Sequence, residues 1–153
     1  MFFDLTAPLS LYSIPAMFVV SFFPAFLKTV TITSTIGFDN VNPRGNVQRA
    51  ADSKKLSPEL AAKVRRMEAA HMNGNETLPI WIAAILAGNF VGLDHETLNK
   101  ASLIFVSLRA LYNWVYIQQK TEVQGFMRTA VYFAGISVPF SLLMQAGNKA
   151  RLG

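Results

Sequence analysis

The sequence predicts an all-α integral membrane protein, a bundle of four transmembrane helices. Three observations predict it. Apolar residues make up 52% of the 153 residues and charged residues 15%, and the mean hydropathy is positive, +0.31. The apolar residues come in blocks: Leu5 to Leu27 is 23 residues without Asp, Glu, Lys or Arg, Thr77 to Leu93 is 17, Thr129 to Asn148 is 20, and Ala101 to Gln119 is 19 with one interruption at Arg109. Polar turns separate the blocks. A bilayer-spanning helix needs roughly 17–25 mainly apolar residues, so each block is long enough to span. The chain length suits one domain, residues 1–153. A soluble globular domain and a disordered chain are both disfavoured.

The first span is expected over about 5–27, between Asp4 and Lys28. It lacks the positive flank of a cleavable signal and is longer than an h-region of about 7–15 residues, so it reads as a membrane helix. Residues 29–56 are rich in Thr, Ser, Asn, Gly and Pro and read as a loop. Ser57-Pro58-Glu59 then supplies an N-cap, a proline at the first helical position and an acid in the first turn. The second helix, about 60–93, has a length of ~55 Å counted from that cap, more than a ~30 Å hydrocarbon core. Its first half, Leu60 to Glu76, must stand outside the membrane or line a polar cavity. Gly92-Leu-Asp-His-Glu96 is a turn, and the third span follows over 101–119. Gln118 to Gly125 is a polar turn, and the fourth span covers 126–147 with Pro139 inside it.

The stretch from 28 to 66 holds eight Lys/Arg: Lys28, Arg44, Arg49, Lys54, Lys55, Lys63, Arg65 and Arg66. Lys120 and Arg128 follow the third span. The positive-inside rule places the first loop and the third turn in the cytoplasm, and both termini on the opposite side. The net charge of +5 is read as this topology signal. No Lys/Arg-rich run carries interleaved aromatics, so nucleic acid is not an expected partner. The absence of Cys excludes a disulfide framework and a nucleophilic or metal-binding thiolate of the chain's own. No metal site is expected, and any thiol chemistry needs a thiol brought by a ligand.

Ionisable residues at membrane depth mark functional candidates. Arg109, Tyr112, Asn113 and Tyr116 sit at i, i+3, i+4 and i+7 and form one polar stripe. One reading is a packing Arg with tyrosines of an interfacial belt; the other is a binding face. In the second helix Asn73 and Glu76 lie within ~60° of each other, Arg66 lies close to Asn73, and His71 points well over ~100° away. His71 suits a helix–helix hydrogen bond at least as well as a ligand role. Glu76 at the membrane edge needs a cation, and Arg109 is the expected ion-pair partner. Arg128 and Tyr132 share a face of the fourth helix. Arg128 reads either as a topology anchor or as part of an anion-holding pocket near the cytoplasmic interface. Asn75-Glu-Thr77 matches a glycosylation sequon but falls in a helix expected at the cytoplasmic side.

Asn42-Pro43-Arg44, Arg66-Met-Glu-Ala-Ala-His71-Met-Asn73-Gly-Asn-Glu76-Thr-Leu-Pro79, Arg109-Ala-Leu-Tyr112-Asn-Trp-Val-Tyr116 and Arg128-Thr-Ala-Val-Tyr132 together resemble the MAPEG superfamily, membrane-associated proteins in eicosanoid and glutathione metabolism. The resemblance covers about residues 5–147 and is closest to the bacterial and fungal branch. It implies a four-helix bundle assembled as a homotrimer, with a site at each subunit interface open to the cytoplasm and the lipid. By the same resemblance Asn73, Glu76, Tyr116, Arg128, Thr129 and Tyr132 fall on glutathione-contacting or catalytic positions. Tyr112 matches a further position used by one branch, and Arg128 matches the Arg that holds the glutathione thiolate. Ala69 and Met72 stand where eicosanoid branches carry Arg, and Thr29 to Ser34 stand where those branches carry basic residues.

The leading expectation is therefore an enzyme that conjugates or isomerises a small lipophilic substrate with glutathione, Arg128 and Tyr132 being catalytic. Asn73, Glu76, Tyr112, Tyr116 and Thr129 are the expected cofactor-binding residues. The alternatives are a glutathione-independent cyclase or isomerase, and a lipid-binding membrane scaffold without enzymatic activity. In a eukaryotic cell the expected location is the endoplasmic reticulum.

Overall fold

The computed structural model describes residues 4–152. Among these it is all-helical, with helices α1 (Ser13–Ile36), α2 (Asn46–Asp52), α3 (Pro58–Phe90), α4 (His95–Gln118) and α5 (Glu122–Leu152), and short 3-10 turns at Ser10–Tyr12 and Pro43–Gly45. The four long helices pack together; α3 and α4 each touch both α1 and α5, while α1 and α5 do not meet.

The first helix differs most from expectation. It continues through the stretch 29–36 that composition marks as loop. Tertiary burial overrides the weak propensity of these β-branched and hydroxyl residues. Their hydroxyls bond back to the helix's own carbonyls, Thr31 to Leu27 at 2.8 Å and Thr35 to Thr31 at 2.7 Å. Ile32 is fully buried in a cluster with Ala50, Leu56 and Val64, so a tertiary contact supplies what propensity does not. Gly37 ends the helix with φ +73°, a left-handed backbone that glycine adopts without penalty.

The loop beyond it contains α2, which composition did not predict. Its organiser is Asn46, fully buried, whose amide donates to the Asp39 carbonyl at 2.8 Å and to Pro43 at 3.1 Å and accepts from the Asp39 N–H at 3.0 Å. Arg49 donates to Asn46 Oδ1 at 2.7 Å and to the Gly37 carbonyl, closing the end of α1. Asn42 accepts from the Gly45 N–H at 3.2 Å, so Asn42-Pro43-Arg44 builds a turn.

Helix α3 starts as its sequence dictates, with Ser57 Oγ accepting from the Leu60 N–H at 3.2 Å and Pro58 in the first turn. It ends at Phe90, three residues before Leu93. Helix α4 begins earlier than 101, because Asp94 caps it by accepting from the Thr97 N–H at 2.9 Å. Helix α5 exceeds the expected 126–147 at both ends. By length and composition alone, the two helices apolar enough to cross a membrane among the described residues are Ser10–Ile36 and Glu122–Leu152. The other two long helices are more polar: α3 carries its charged first half, and α4 buries Asn99, Arg109 and Asn113.

Helices α3 and α4 run antiparallel in one register. Arg66 Nε donates to the Ile117 carbonyl at 3.1 Å, Arg109 meets Asn73, Trp81 stacks on Phe105 with centroids 4.3 Å apart, and Gly88 faces Leu98. The main core lies at the far end of the seam from Arg66, with Met17, Trp81, Ala84, Ile85, Leu98, Phe105 and Leu142. Trp81 is fully buried, and its Nε1 donates to Ser13 Oγ at 3.1 Å, so the indole is satisfied where it is most apolar. Helix α1 lies antiparallel to α3, held by the Lys28–Glu68 ion pair and by His71.

Candidate functional site

A cleft of about 510 Å³ opens between α3 and α5, with α4 as its floor. From α3 come Ala69, Met72, Asn73 and Glu76; from α4, Tyr112 and Tyr116; from α5, Arg128, Thr129, Tyr132 and Phe133. The structure thus brings Asn73, Glu76, Tyr112, Tyr116, Arg128, Thr129 and Tyr132 to one place. Helical spacing explains the convergence. The α3 and α4 residues repeat at three or four positions, and 128, 129, 132 and 133 share a face of α5.

The aromatic residues form a connected wall. Tyr112 meets Tyr116 edge-on at 5.5 Å and lies 5.9 Å from Tyr132, and Tyr132 meets Phe133 at 5.6 Å. The Arg128 guanidinium lies 4.8 Å from the Tyr116 ring centroid, a cation–π contact worth about 0.5–2 kcal/mol. Arg128 has no carboxylate partner among the described residues, and neither does Glu76 on the opposite wall. The cleft therefore carries one cation and one anion on facing helices, with phenols between them. The Thr129 hydroxyl donates to the Gly125 carbonyl at 3.1 Å and keeps its lone pairs as acceptors.

The expected Arg109–Glu76 ion pair does not form. The ion pairs among the described residues are Lys28–Glu68, Lys100–Glu96 and Lys120–Glu59. Arg109, only 2% exposed, donates from Nη2 to Asn73 Oδ1 at 2.6 Å and lies 4.4 Å from the Tyr112 ring centroid. The reason is register: Arg109 stands level with Asn73, one turn before Glu76, and Glu76 is exposed in the single chain. Arg66 is not part of the cluster either; it caps the end of α4 at Ile117.

His71 takes the helix–helix role. Its Nδ1 lies 2.8 Å from the Ser21 carbonyl, which only accepts, so Nδ1 donates, and Nε2 accepts from Asn75 at 3.2 Å. Thr77 is buried and its hydroxyl is bonded to the Asn73 and Gly74 carbonyls, each at 3.1 Å, which makes the sequon structural. Phe133 was not singled out from sequence, although its position four residues after Thr129 places it on the same face. The Lys28–Glu68 pair was also missed, since nothing local signals a contact forty residues apart.

A family model, the MAPEG family, matches residues 9–148, nearly the whole chain. The chain belongs to the MAPEG family. Neither the curated proteins nor the solved structures contain a match to it. Membership places this MAPEG protein among membrane-associated proteins of glutathione and eicosanoid metabolism, a family that includes glutathione transferases and isomerases. The cleft residues all lie inside the matched range.

Proposed function

We propose that this MAPEG protein is a membrane-embedded enzyme that uses glutathione to conjugate or isomerise a small lipophilic substrate. One observation carries the reading: Arg128, without a carboxylate partner, meets Asn73, Glu76 and the tyrosines 112, 116 and 132 in a single cleft. The donor set fits the cosubstrate. Arg128 suits an anionic group, Glu76 an ammonium, and the phenols and the Asn73 amide suit peptide or carboxylate groups. Glutathione supplies the thiol that a chain without Cys lacks.

The residues act as follows. Arg128 favours the ionised form of a sulfur beside it and so lowers that sulfur's pKa. Tyr132 donates a hydrogen bond to the sulfur or to charge that develops on the substrate. Asn73, Glu76, Tyr112, Tyr116 and Thr129 hold the remainder. The apolar lining from Met72 and Phe133 meets the lipophilic substrate. Four membrane spans, one for each long helix, a homotrimer, and a cytoplasmic first loop and third turn complete the proposal, with residence in the endoplasmic reticulum if the cell is eukaryotic. The basic stretch from Lys28 to Arg66 supports that orientation.

A second reading has its own support. Ala69 and Met72 line the α3 wall of the cleft, where the eicosanoid branches carry Arg. Each lost charge-assisted contact is worth roughly 1.5–3 kcal/mol. An enzyme that polarises a carbonyl or phenol with Arg128 and the tyrosines, without glutathione, is consistent with that wall.

Thermal unfolding in detergent with millimolar glutathione tests the first reading, since a ligand of the folded state raises apparent stability. The bound thiol should show thiolate ultraviolet absorbance, lost in Arg128→Ala. Turnover without glutathione stabilisation selects the second reading. Lipid binding without turnover on any lipophilic electrophile leaves a scaffold.

A further inference from the structure

Helix α1 runs from Ser13 to Ile36 with a proline, Pro24, fully buried in its middle. Proline has no N–H, so the Val20 carbonyl, four residues earlier, loses its donor within the helix, and the ring crowds that same carbonyl. Helix α1 is one of the two helices apolar enough to cross a membrane. In hydrocarbon such a carbonyl must be satisfied by a neighbouring element. Asn113 of α4, 5% exposed, does so: its Nδ2 donates to the Val20 carbonyl at 2.8 Å. The next carbonyl along, that of Ser21, accepts from His71 Nδ1 of α3, also at 2.8 Å. Asn75 donates to His71 Nε2 at 3.2 Å, which keeps the proton on Nδ1. Two neighbouring helices thus grip consecutive carbonyls at the proline. Neither Asn113 nor His71 lines the cleft.

The two halves of α1 are anchored separately. On the N-terminal side Ser13 accepts from Trp81, and Met17 lies in the main core. On the C-terminal side Lys28 pairs with Glu68, and Ile32 packs with Ala50, Leu56 and Val64. Between these anchors the helix lacks the hydrogen bond that would tie residue 24 to Val20. The angle at the joint is therefore set by what grips it. A groove of about 350 Å³ beside the joint, lined in part by Val20, Phe23, Asn113 and Trp114, leaves space between α1 and α4 for that angle to change.

We infer that α1 is a hinged helix whose joint at Pro24 is locked from outside, by Asn113 of α4 and His71 of α3, and that loss of either donor lets its two halves bend against each other.

The chain has no Cys, so spin labels can be carried by introduced thiols alone. Ala16→Cys and Ser34→Cys lie at exposed positions on either side of the joint, ~27 Å apart along a straight helix. The full chain is placed in lipid nanodiscs and diluted with unlabelled chain, so that pulsed electron paramagnetic resonance reads distances within one chain. The parent protein should give one narrow distance. Asn113→Leu and His71→Phe each remove a donor and keep an apolar group of similar shape, and each should broaden or shorten that distance. Pro24→Ala returns an N–H to the Val20 carbonyl and makes the lock dispensable. Beside Pro24→Ala, both variants should recover the narrow distance. The fall in melting temperature caused by Asn113→Leu should likewise shrink in that background.

A mere loss of packing predicts the same damage whichever residue stands at position 24. Broadening that persists beside Pro24→Ala overturns the inference, as does a narrow distance in either single variant or a broad one in the parent. Where Asn113→Leu alone does not fold, recovery of folding beside Pro24→Ala is the expected result, and a pair that also fails to fold counts against the lock.

Discussion

Gly74 of α3 faces Ser21 of α1 so closely that a Cβ on Gly74 would stand 2.8 Å from the serine Cβ and 2.9 Å from its Cα. The approach lets α1 and α3 pack nearly backbone to backbone, one residue from Asn73. In an exposed helix, Gly to Ala gains about 1 kcal/mol, whereas overpacking a tight contact costs about 1–3 kcal/mol. The atom in the way includes backbone, which cannot swing aside, so the clash wins. Gly74→Ala should lower the melting temperature in detergent and Gly74→Val should lower it further. An unchanged or higher value for Gly74→Ala would show that the seam yields.

Lys28 and Glu68 join the same two helices by an ion pair, with side chains only 11% and 29% exposed. Exposed helix pairs contribute about 0.3–0.5 kcal/mol, and breaking a buried pair costs about 3–5 kcal/mol. The Lys28–Glu68 pair lies between these limits. Glu68→Gln should therefore destabilise more than Glu96→Gln, which removes the exposed Glu96–Lys100 pair. Chemical denaturation of the two variants side by side decides it; equal losses would place the Lys28–Glu68 pair among the solvated ones.

The α4 cap links stability to pH. The Thr97 backbone N–H holds the Asp94 carboxyl below its ordinary value of 3.8. A carboxyl lowered in the folded state stabilises it above the unfolded pKa, and the contribution is lost as pH falls through the folded value. Asp94→Asn keeps a cap acceptor without the titration. Melting temperature followed from neutral pH down past 3.8 should fall less steeply for Asp94→Asn than for wild type. Parallel curves would remove Asp94 from the acid response.

Tyr116 supports Arg128 through its ring, 4.8 Å from the guanidinium. Tyr116→Phe keeps the ring face and loses the hydroxyl, while Tyr116→Leu loses both. If ring support matters, the glutathione-dependent rate should fall further in Tyr116→Leu than in Tyr116→Phe, by a factor of up to about 30 for the ~2 kcal/mol upper range of a desolvated cation–π contact. Equal rates in the two variants would restrict the role of Tyr116 to its hydroxyl.

The cleft residues were legible in the sequence because each set lies within one helix. Asn73 and Glu76, Tyr112 and Tyr116, and Arg128 with Tyr132 are spaced at three or four residues, and helical periodicity turns such spacing into a shared face. The Ser57 cap of α3 was legible for the same local reason, since its hydroxyl bonds a backbone N–H three residues away. The extension of α1 through Thr29 to Ile36 was not, because Ile32 finds Ala50, Leu56 and Val64 only once the chain has folded back.

The sequence by itself determined the apolar blocks, the helical class, the family motifs and which side chains share a helix face, all consequences of short-range periodicity and composition. Only the tertiary structure decided the partners across helices. It paired Arg109 with Asn73 instead of Glu76 and Lys28 with Glu68, and it turned His71 onto the Ser21 carbonyl. Those choices depend on the axial register of antiparallel helices, where one turn shifts a side chain by about 5.4 Å. That distance exceeds the reach of an ion pair, about 4 Å, and no pattern within a single helix encodes it.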